Sequence, residues 1–309
     1  MSQCYILINN KYVLGKTLGV GSFGEIYVGI DKSLPNNSRD KLVAIKLESR
    51  NKDIQLLPSE ANIYQYLYKE GKGIPKIYWS GIQDDYNALI IEMCGPNLEN
   101  LMSICDHHFT LKTVLILAQE IIRKIQYVHS RGIIHRDIKP ENFLIGLHNN
   151  DVYIVDFGLC KFFKNSDNSH IQMSANKKLV GTVRYTSINS HKGYESSRRD
   201  DLESIGYMLV YFIKGKLPWQ GVCQKDMPRE EKYNMIYECK KNTTNEQLCQ
   251  GLPKEFKIYM DYVRSLDFTE KPNYNFLYNL FTQLFKKNNF VYDNVYDWSY
   301  IKNGTQLQY

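Results

Sequence analysis

The chain has 309 residues, 43% of them hydrophobic and 23% charged, with a formal net charge of +6. This composition is globular and excludes a disordered chain, and a chain of this length can bury a core without disulfides or metals. The modest, dispersed positive charge fits partners carrying phosphate or acidic groups and argues against nucleic-acid binding. Length alone suggests about two domains. The seven cysteines form no Cys-x-x-Cys pair and read as reduced thiols. No stretch approaches the ~18 apolar residues that a membrane helix needs. Met1-Ser2-Gln3-Cys4 lacks the basic start and apolar segment of a secretory signal. The expected location is the cytoplasm, with the nucleus as a second compartment.

In chain order, residues 11–19, 25–30, 42–47 and 89–93 alternate or carry β-branched and aromatic residues, which predicts strands. One helix is predicted after Pro58-Ser59, running to about Tyr68 and stopped by Gly71, Gly73 and Pro75. Cys94-Gly95-Pro96 is a break, after which the pattern turns helical. Val114, Leu117, Ala118, Ile121, Ile125 and Val128 keep a 3.6-residue stripe. Residues 205–213 are apolar almost all round, which predicts a helix buried at the centre of a domain. The pattern is α+β: a small strand-rich lobe over 1–93, a short hinge at 94–97 and a larger helical lobe over 98–309.

The chemistry-bearing residues follow in a fixed order. Gly19-Val20-Gly21-Ser22-Phe23-Gly24 matches a glycine fingerprint that is also compatible with a plain hairpin turn. The strand-like Glu25-Ile26-Tyr27-Val28 excludes a dinucleotide fold, which needs a helix there, and no Lys-Ser/Thr follows as a P-loop requires. What remains is a glycine loop between two strands, able to lower its backbone onto phosphates because glycine has no Cβ. Lys46 ends the strand Val43-Ala44-Ile45-Lys46, and Glu60 lies on the apolar helix face with Ile63, Tyr64 and Leu67. A carboxylate there is costly unless paired, and Lys46 is the plausible partner; the alternative is that Glu60 points to solvent. His135-Arg136-Asp137-Ile138-Lys139-Pro140-Glu141-Asn142 and Asp156-Phe157-Gly158 flank short apolar strands and match the catalytic and metal-binding loops of protein kinases. In that reading Asp137 orients the substrate hydroxyl, Lys139 neutralises the transferred phosphoryl, and Asn142 and Asp156 ligate metal.

The whole chain, from about residue 12 to 298, resembles a eukaryotic protein kinase, and specifically the casein kinase 1 family. The family-level match is Val180-Gly181-Thr182-Val183-Arg184-Tyr185-Thr186-Ser187-Ile188-Asn189, followed by Ser197-Arg198-Arg199-Asp200-Asp201-Leu202-Glu203-Ser204-Ile205-Gly206-Tyr207. Ser-Ile-Asn stands where most kinases carry Ala-Pro-Glu. The resemblance implies a two-lobed kinase fold, with a small antiparallel β-rich N-lobe holding one helix and a larger, mainly helical C-lobe. It implies serine/threonine phosphorylation with ATP and Mg2+, with Asp137, Lys139, Lys46, Glu60, Asn142, Asp156 and Thr182 as the catalytic set. By the same resemblance the ATP site would include Leu18, Gly19, Gly21, Ser22, Gly24, Ile26, Ala44, Lys46, Leu144 and the gatekeeper Ile91, with Glu92, Met93 and Cys94 forming the hinge to adenine. Asp201 would brace the catalytic-loop backbone, and Thr182 would contact Asp137. A substrate-anion site would comprise Arg184, Gly221 and Lys232, with Arg136, Lys161 and Lys177 as a second basic group. Partners would then be proteins carrying acidic or phosphorylated residues, and the chain is expected to act as a monomer without membrane or nucleic acid.

Two other functions are weighed beside an active kinase. A pseudokinase scaffold would bind nucleotide or a partner without transfer, but it normally lacks a residue equivalent to Lys46, Asp137 or Asp156, and all three are present. A nucleic-acid binder would need a recognition motif, whereas dipeptides such as Lys240-Lys241 are scattered. Cys94, in the hinge, or Cys160, after the Asp156 loop, is expected to be open to alkylation near bound nucleotide.

Overall fold

A computed structural model describes residues 5–21, 24–68, 73–224 and 226–300. The sequence readings at residues 1–4, Ser22, Phe23 and Gly71 lie outside the described residues. The chain divides into two compact units; among the described residues the first comprises 5–96 and 144–158 and the second 97–143 and 159–300. Each has the character expected of one lobe of a kinase, antiparallel sheet in the first and helices in the second.

The first unit begins with strands β1 (Leu7–Ile8), β2 (Tyr12–Gly21), β3 (Gly24–Asp31) and β4 (Leu42–Ser49). Helix α1 (Leu57–Tyr68) follows, then β5 (Ile77–Gln83), β6 (Tyr86–Glu92) and β7 (Cys94–Asn97). A six-stranded sheet runs β1-β2-β3-β4-β6-β5. In β4 the alternation of side chains sends Val43, Ile45 and Leu47 into a core with Ile8, Tyr12, Ala88 and Ile90. The same alternation places Ala44 and Lys46 on the other face. α1 buries Leu57, Glu60, Ala61, Tyr64 and Leu67, and Tyr64 meets Phe157 edge-on at 5.0 Å.

The second unit is built on α2 (Leu98–Ile104) and α3 (Leu111–Ser130), with β8 (Ile133–Ile134) after α3. Two strands, β9 (Phe143–Gly146) and β10 (Val152–Ile154), form a three-stranded sheet in the order β10-β9-β7. The sequence reading assigned all of 98–309 to one lobe, whereas residues 144–158 pack with the first unit. The Ile154 amide, for example, donates to the Gly73 carbonyl at 2.9 Å. β11 (Lys161–Phe162) pairs with β8. The remaining helices are α4 (Ile188–His191), α5 (Arg198–Lys214), α6 (Arg229–Asn242), α7 (Asn245–Leu248), α8 (Lys254–Ser265) and α9 (Tyr274–Lys287). The helix predicted at 205–213 is α5, buried without interruption from Asp200 to Phe212. The stripe at 114–128 is the buried face of α3, which packs against α5 and α9. Among the described residues no helix is long and apolar enough to cross a membrane.

Candidate active site

Strand register brings the expected nucleotide-binding residues of the first unit together. Directly opposed residues in neighbouring antiparallel strands share a face. Gly19 pairs with Ile26, Ile26 with Lys46, and Lys46 with Leu89, while Ala44 pairs with Val28 and Ile91. Gly19, Ile26, Ala44, Lys46 and Ile91 therefore lie on the face opposite the sheet core. Leu18 and Ile26 are partly exposed there, and Leu144 is half-buried at the start of β9. Gly21 pairs with Gly24 and closes the β2–β3 hairpin. Gly24 takes φ +154°, and a Cβ there would stand 2.3 Å from the Leu47 carbonyl oxygen, so only glycine fits.

At the edge of that face the Lys46 ammonium lies 2.7 Å from Glu60 and 3.0 Å from Asp156. Glu60 is only 2% exposed, so the alternative in which it points to solvent is excluded. Burial pushes the Glu60 carboxyl up to about 7; Lys46 opposes this and the Asp156 charge adds to it. Burial also acts to lower the Lys46 pKa, but the two carboxylates outweigh it and hold the ammonium above the ordinary lysine range. Asp156 is itself held: its amide donates to the Tyr64 hydroxyl at 3.1 Å, and its backbone takes φ +66°.

The hinge residues differ from expectation in one respect. The Glu92 carboxylate accepts from the Lys76 amide at 3.1 Å and from the Tyr153 hydroxyl at 3.2 Å. Met93 and Cys94 are both 6% exposed. Burial, with Glu92 nearby, raises the Cys94 thiol far above its usual range, and its Sγ is directed at the Glu92 carbonyl. Since the thiolate is the reactive form, Cys94 is an inert core thiol and not the alkylation site expected from its position.

In the second unit the catalytic loop is organised by Asp201, the buried carboxylate expected to brace it. Asp201 accepts the amides of His135 at 2.7 Å and Arg136 at 2.8 Å, and lies 2.8 Å from His129 Nε2. Burial works to raise the Asp201 pKa, but these hydrogen bonds outweigh it and bring it below the usual carboxylate range. The bracing holds Arg136 at φ +66°, a conformation non-glycine residues rarely adopt.

Next along the loop, the Asp137 carboxylate is surrounded. Lys139 Nζ lies 2.7 Å from one oxygen and Asn142 Nδ2 3.2 Å from the same oxygen. The amide and hydroxyl of Thr182 both donate to the other oxygen at 2.8 Å. Asn142 Nδ2 also donates to the Asp137 carbonyl at 2.8 Å, which leaves its amide oxygen as the group's acceptor. Thr182 can approach because residue 181 is glycine: Gly181 has φ +86°, and a Cβ would sit 2.3 Å from the Arg136 carbonyl oxygen.

The expected anion-site residues fall into two clusters. Arg184 lies over the rings of Tyr185 and Tyr211 at 5.8 and 5.7 Å. Its carbonyl accepts from Trp219 Nε1 at 2.7 Å, two residues before Gly221, which takes φ +79°. Lys232, on α6, is tied to that loop through its own carbonyl, which accepts from Cys223 Sγ at 3.5 Å. In the other cluster Lys161 and Lys177 lie 2.9 and 3.5 Å from Glu195. Arg136, whose Nε donates to the Leu159 carbonyl at 2.6 Å, feels the Glu195 charge too. This basic group therefore holds an internal carboxylate, 5% exposed, that the sequence reading did not anticipate.

Sheet register, the Lys46–Glu60 pair and the braced Asp137 loop are parts of a two-lobed phosphotransferase fold. The family model for the protein kinase domain matches residues 12–284, and the chain belongs to that family. Membership implies ATP as phosphoryl donor and proteins as acceptors.

Asp201→Asn, which puts an amide where N–H groups need an acceptor, is expected to lower unfolding free energy by about 2–3 kcal/mol at neutral pH. Because the folded pKa of Asp201 lies below 3.8, its contribution is complete above that value and is lost as pH falls through the folded value. Denaturant unfolding at pH 7 and pH 3 checks this; the deficit should be smaller at pH 3, and an equal deficit at both would contradict it.

Proposed function

We propose that the chain is a serine/threonine protein kinase of the casein kinase 1 type, which transfers the γ-phosphoryl of ATP, with Mg2+, to hydroxyls of acidic or already phosphorylated proteins. The observation that carries this reading is the setting of Asp137, whose carboxylate is oriented by Lys139 and Asn142 of its own loop and by Thr182 of the later segment that packs against it. Phosphoryl transfer asks little covalent work of the protein and much positioning and charge. Asp137 would orient the substrate hydroxyl and take its proton as the new P–O bond forms. The bond to the ADP oxygen breaks with its electron pair leaving on ADP. Lys139 would offset charge on the transferred group, and Lys46, kept protonated by Glu60, would bind the phosphates of ATP.

The donor chemistry suits Mg2+. Asp156 offers a carboxylate, and Asn142 offers the amide oxygen left after its nitrogen is committed to Asp137; both are hard oxygen ligands. When bound, Mg2+ would neutralise phosphate charge.

The family-level assignment is supported by the segment that replaces Ala-Pro-Glu. Ser187 caps α4 by accepting the Ser190 amide at 3.1 Å and donates to Asp200 at 2.5 Å, so this junction is held without a glutamate of its own. Substrate preference rests on Arg184, Gly221 and Lys232, joined by the loop at Trp219–Cys223, and on the Arg136, Lys161 and Lys177 group. Charge-assisted bonds from such groups to phosphate are strong and directional. The Glu195 carboxylate satisfies part of the second group from within, so Arg184 and Lys232 are assigned the larger share of the preference.

Incubation with casein and γ-labelled ATP tests the reading: label is expected on serine and threonine, and none at all would favour the scaffold alternative. Lys46→Met and Asp137→Asn should each lower kcat by at least ~100-fold, and turnover near wild type would overturn their roles. Arg184→Glu should reduce kcat/KM for an upstream-phosphorylated peptide by roughly tenfold more than for its unphosphorylated twin; equal losses would remove Arg184 from the anion site.

A further inference from the structure

One lysine of the second unit is entirely buried. Lys240 lies on α6 with 0% exposure. Its ammonium donates to the carbonyl oxygens of Val183 at 2.7 Å and Thr186 at 2.6 Å. The rings of Tyr207 and Trp219 lie 5.3 and 5.2 Å from it, within range of cation–π attraction. Trp219 in turn donates to the carbonyl of Arg184. Three carbonyls of residues 183–186 are thus held by two side chains, one from α6 and one from the loop before it.

Burying an ammonium is costly, and residues of this type are almost never fully buried unless compensated. Burial draws the Lys240 pKa down to about 7, with Glu203 opposing and Arg264 adding to the fall. Compensation is nevertheless specific: two carbonyl acceptors and two aromatic faces. An apolar side chain could fill the space without desolvating a charge, but it could not hold the carbonyls. The segment so held is short and irregular between Gly181 and the start of α4. At one end Thr182 reaches Asp137, and in its middle stands Arg184. α6 also carries Lys232, eight positions before Lys240.

We propose that Lys240, together with Trp219, is a positioning residue for peptide recognition: it fastens the main chain of residues 183–186 to α6 so that Arg184 and Lys232 meet the same anionic group of the substrate. The proposal deepens the function proposed above and rests on it for the role of Arg184. The partners of Lys240 are Val183, Thr186, Tyr207 and Trp219, none of which is among the groups assigned to phosphoryl transfer (Asp137, Lys139, Lys46, Asn142 and Asp156), so its effect falls on the peptide and not on ATP.

The test compares two peptides that differ only in phosphoserine or alanine upstream of the acceptor serine. In Lys240→Met the ratio of their kcat/KM values should fall about tenfold, through KM for the phosphopeptide. KM for ATP and peptide-free ATP hydrolysis should stay within about twofold of wild type. An unchanged ratio overturns the inference even if overall activity falls. If Lys240→Met does not fold, Trp219→Phe, which removes the donor to the Arg184 carbonyl and keeps a smaller aromatic ring beside Lys240, decides: a fall of about threefold or more supports it and an unchanged ratio overturns it. A wild-type enzyme that ignores the upstream phosphate refutes the anion-site reading instead. The inference is then judged by KM for the plain peptide, which should rise about tenfold in Lys240→Met and whose constancy would overturn it.

Discussion

A buried carboxylate cannot stand alone, and Glu60 does not: it is paired with the half-buried ammonium of Lys46. That ammonium lies between Glu60 from α1 and Asp156 from the segment after β10. Each of these partners is placed by a different element, so the three charges come into register only when the sheet, α1 and the β9–β10 segment have all formed. Removing one member would strand the others in a setting where uncompensated charge is expensive. The pair is therefore weak evidence for stability and strong evidence for function. A hydrophobic trio would pack there more cheaply, but it would offer a phosphate no cation.

The second unit solves a related problem with backbone. Asp201 accepts two consecutive loop amides and faces His129, and this carboxylate lets Arg136 keep its left-handed conformation and Asp137 its orientation. Gly181 lets the following segment approach closely enough for Thr182 to bond Asp137 twice. Lys240 and Trp219 hold the same segment from its other side. One irregular stretch of seven residues thus links the proposed base to the proposed substrate-recognition residues, and buried charges, not regular secondary structure, set its shape.

Much of this was legible in the sequence because the chemistry clusters in short motifs. The strands carrying Lys46 and Ile91 show as short runs rich in apolar and β-branched residues, the helix carrying Glu60 as an apolar face at i, i+3, i+4 and i+7 between a Pro-Ser start and a glycine stop, and the central α5 as a segment apolar almost all round. β5 did not: it is an edge strand with a serine and a glycine inside it and no buried residue. α8 offered a clear stripe at Phe256, Tyr259, Met260 and Val263 that the motif-led reading passed over. Glu195 looked like one charge among many, because what buries it is a contact between segments far apart in the chain. Lys240 was hidden by its neighbour, since a Lys-Lys pair reads as surface. The signal was the helical spacing of Tyr233, Ile236, Tyr237 and Lys240, which puts the lysine on an aromatic face. Cys94 shows the opposite error, since a place in the hinge says nothing of a side chain's burial.

The central claim is that Lys46, held by Glu60, is the phosphate-binding cation. A crystal structure of the chain with a non-hydrolysable ATP analogue and Mg2+ tests it most directly. Lys46 Nζ should lie about 2.7–2.9 Å from a phosphate oxygen while keeping its bond to Glu60. Phosphates bound elsewhere, with Lys46 still engaged only by Glu60 and Asp156, would contradict the account.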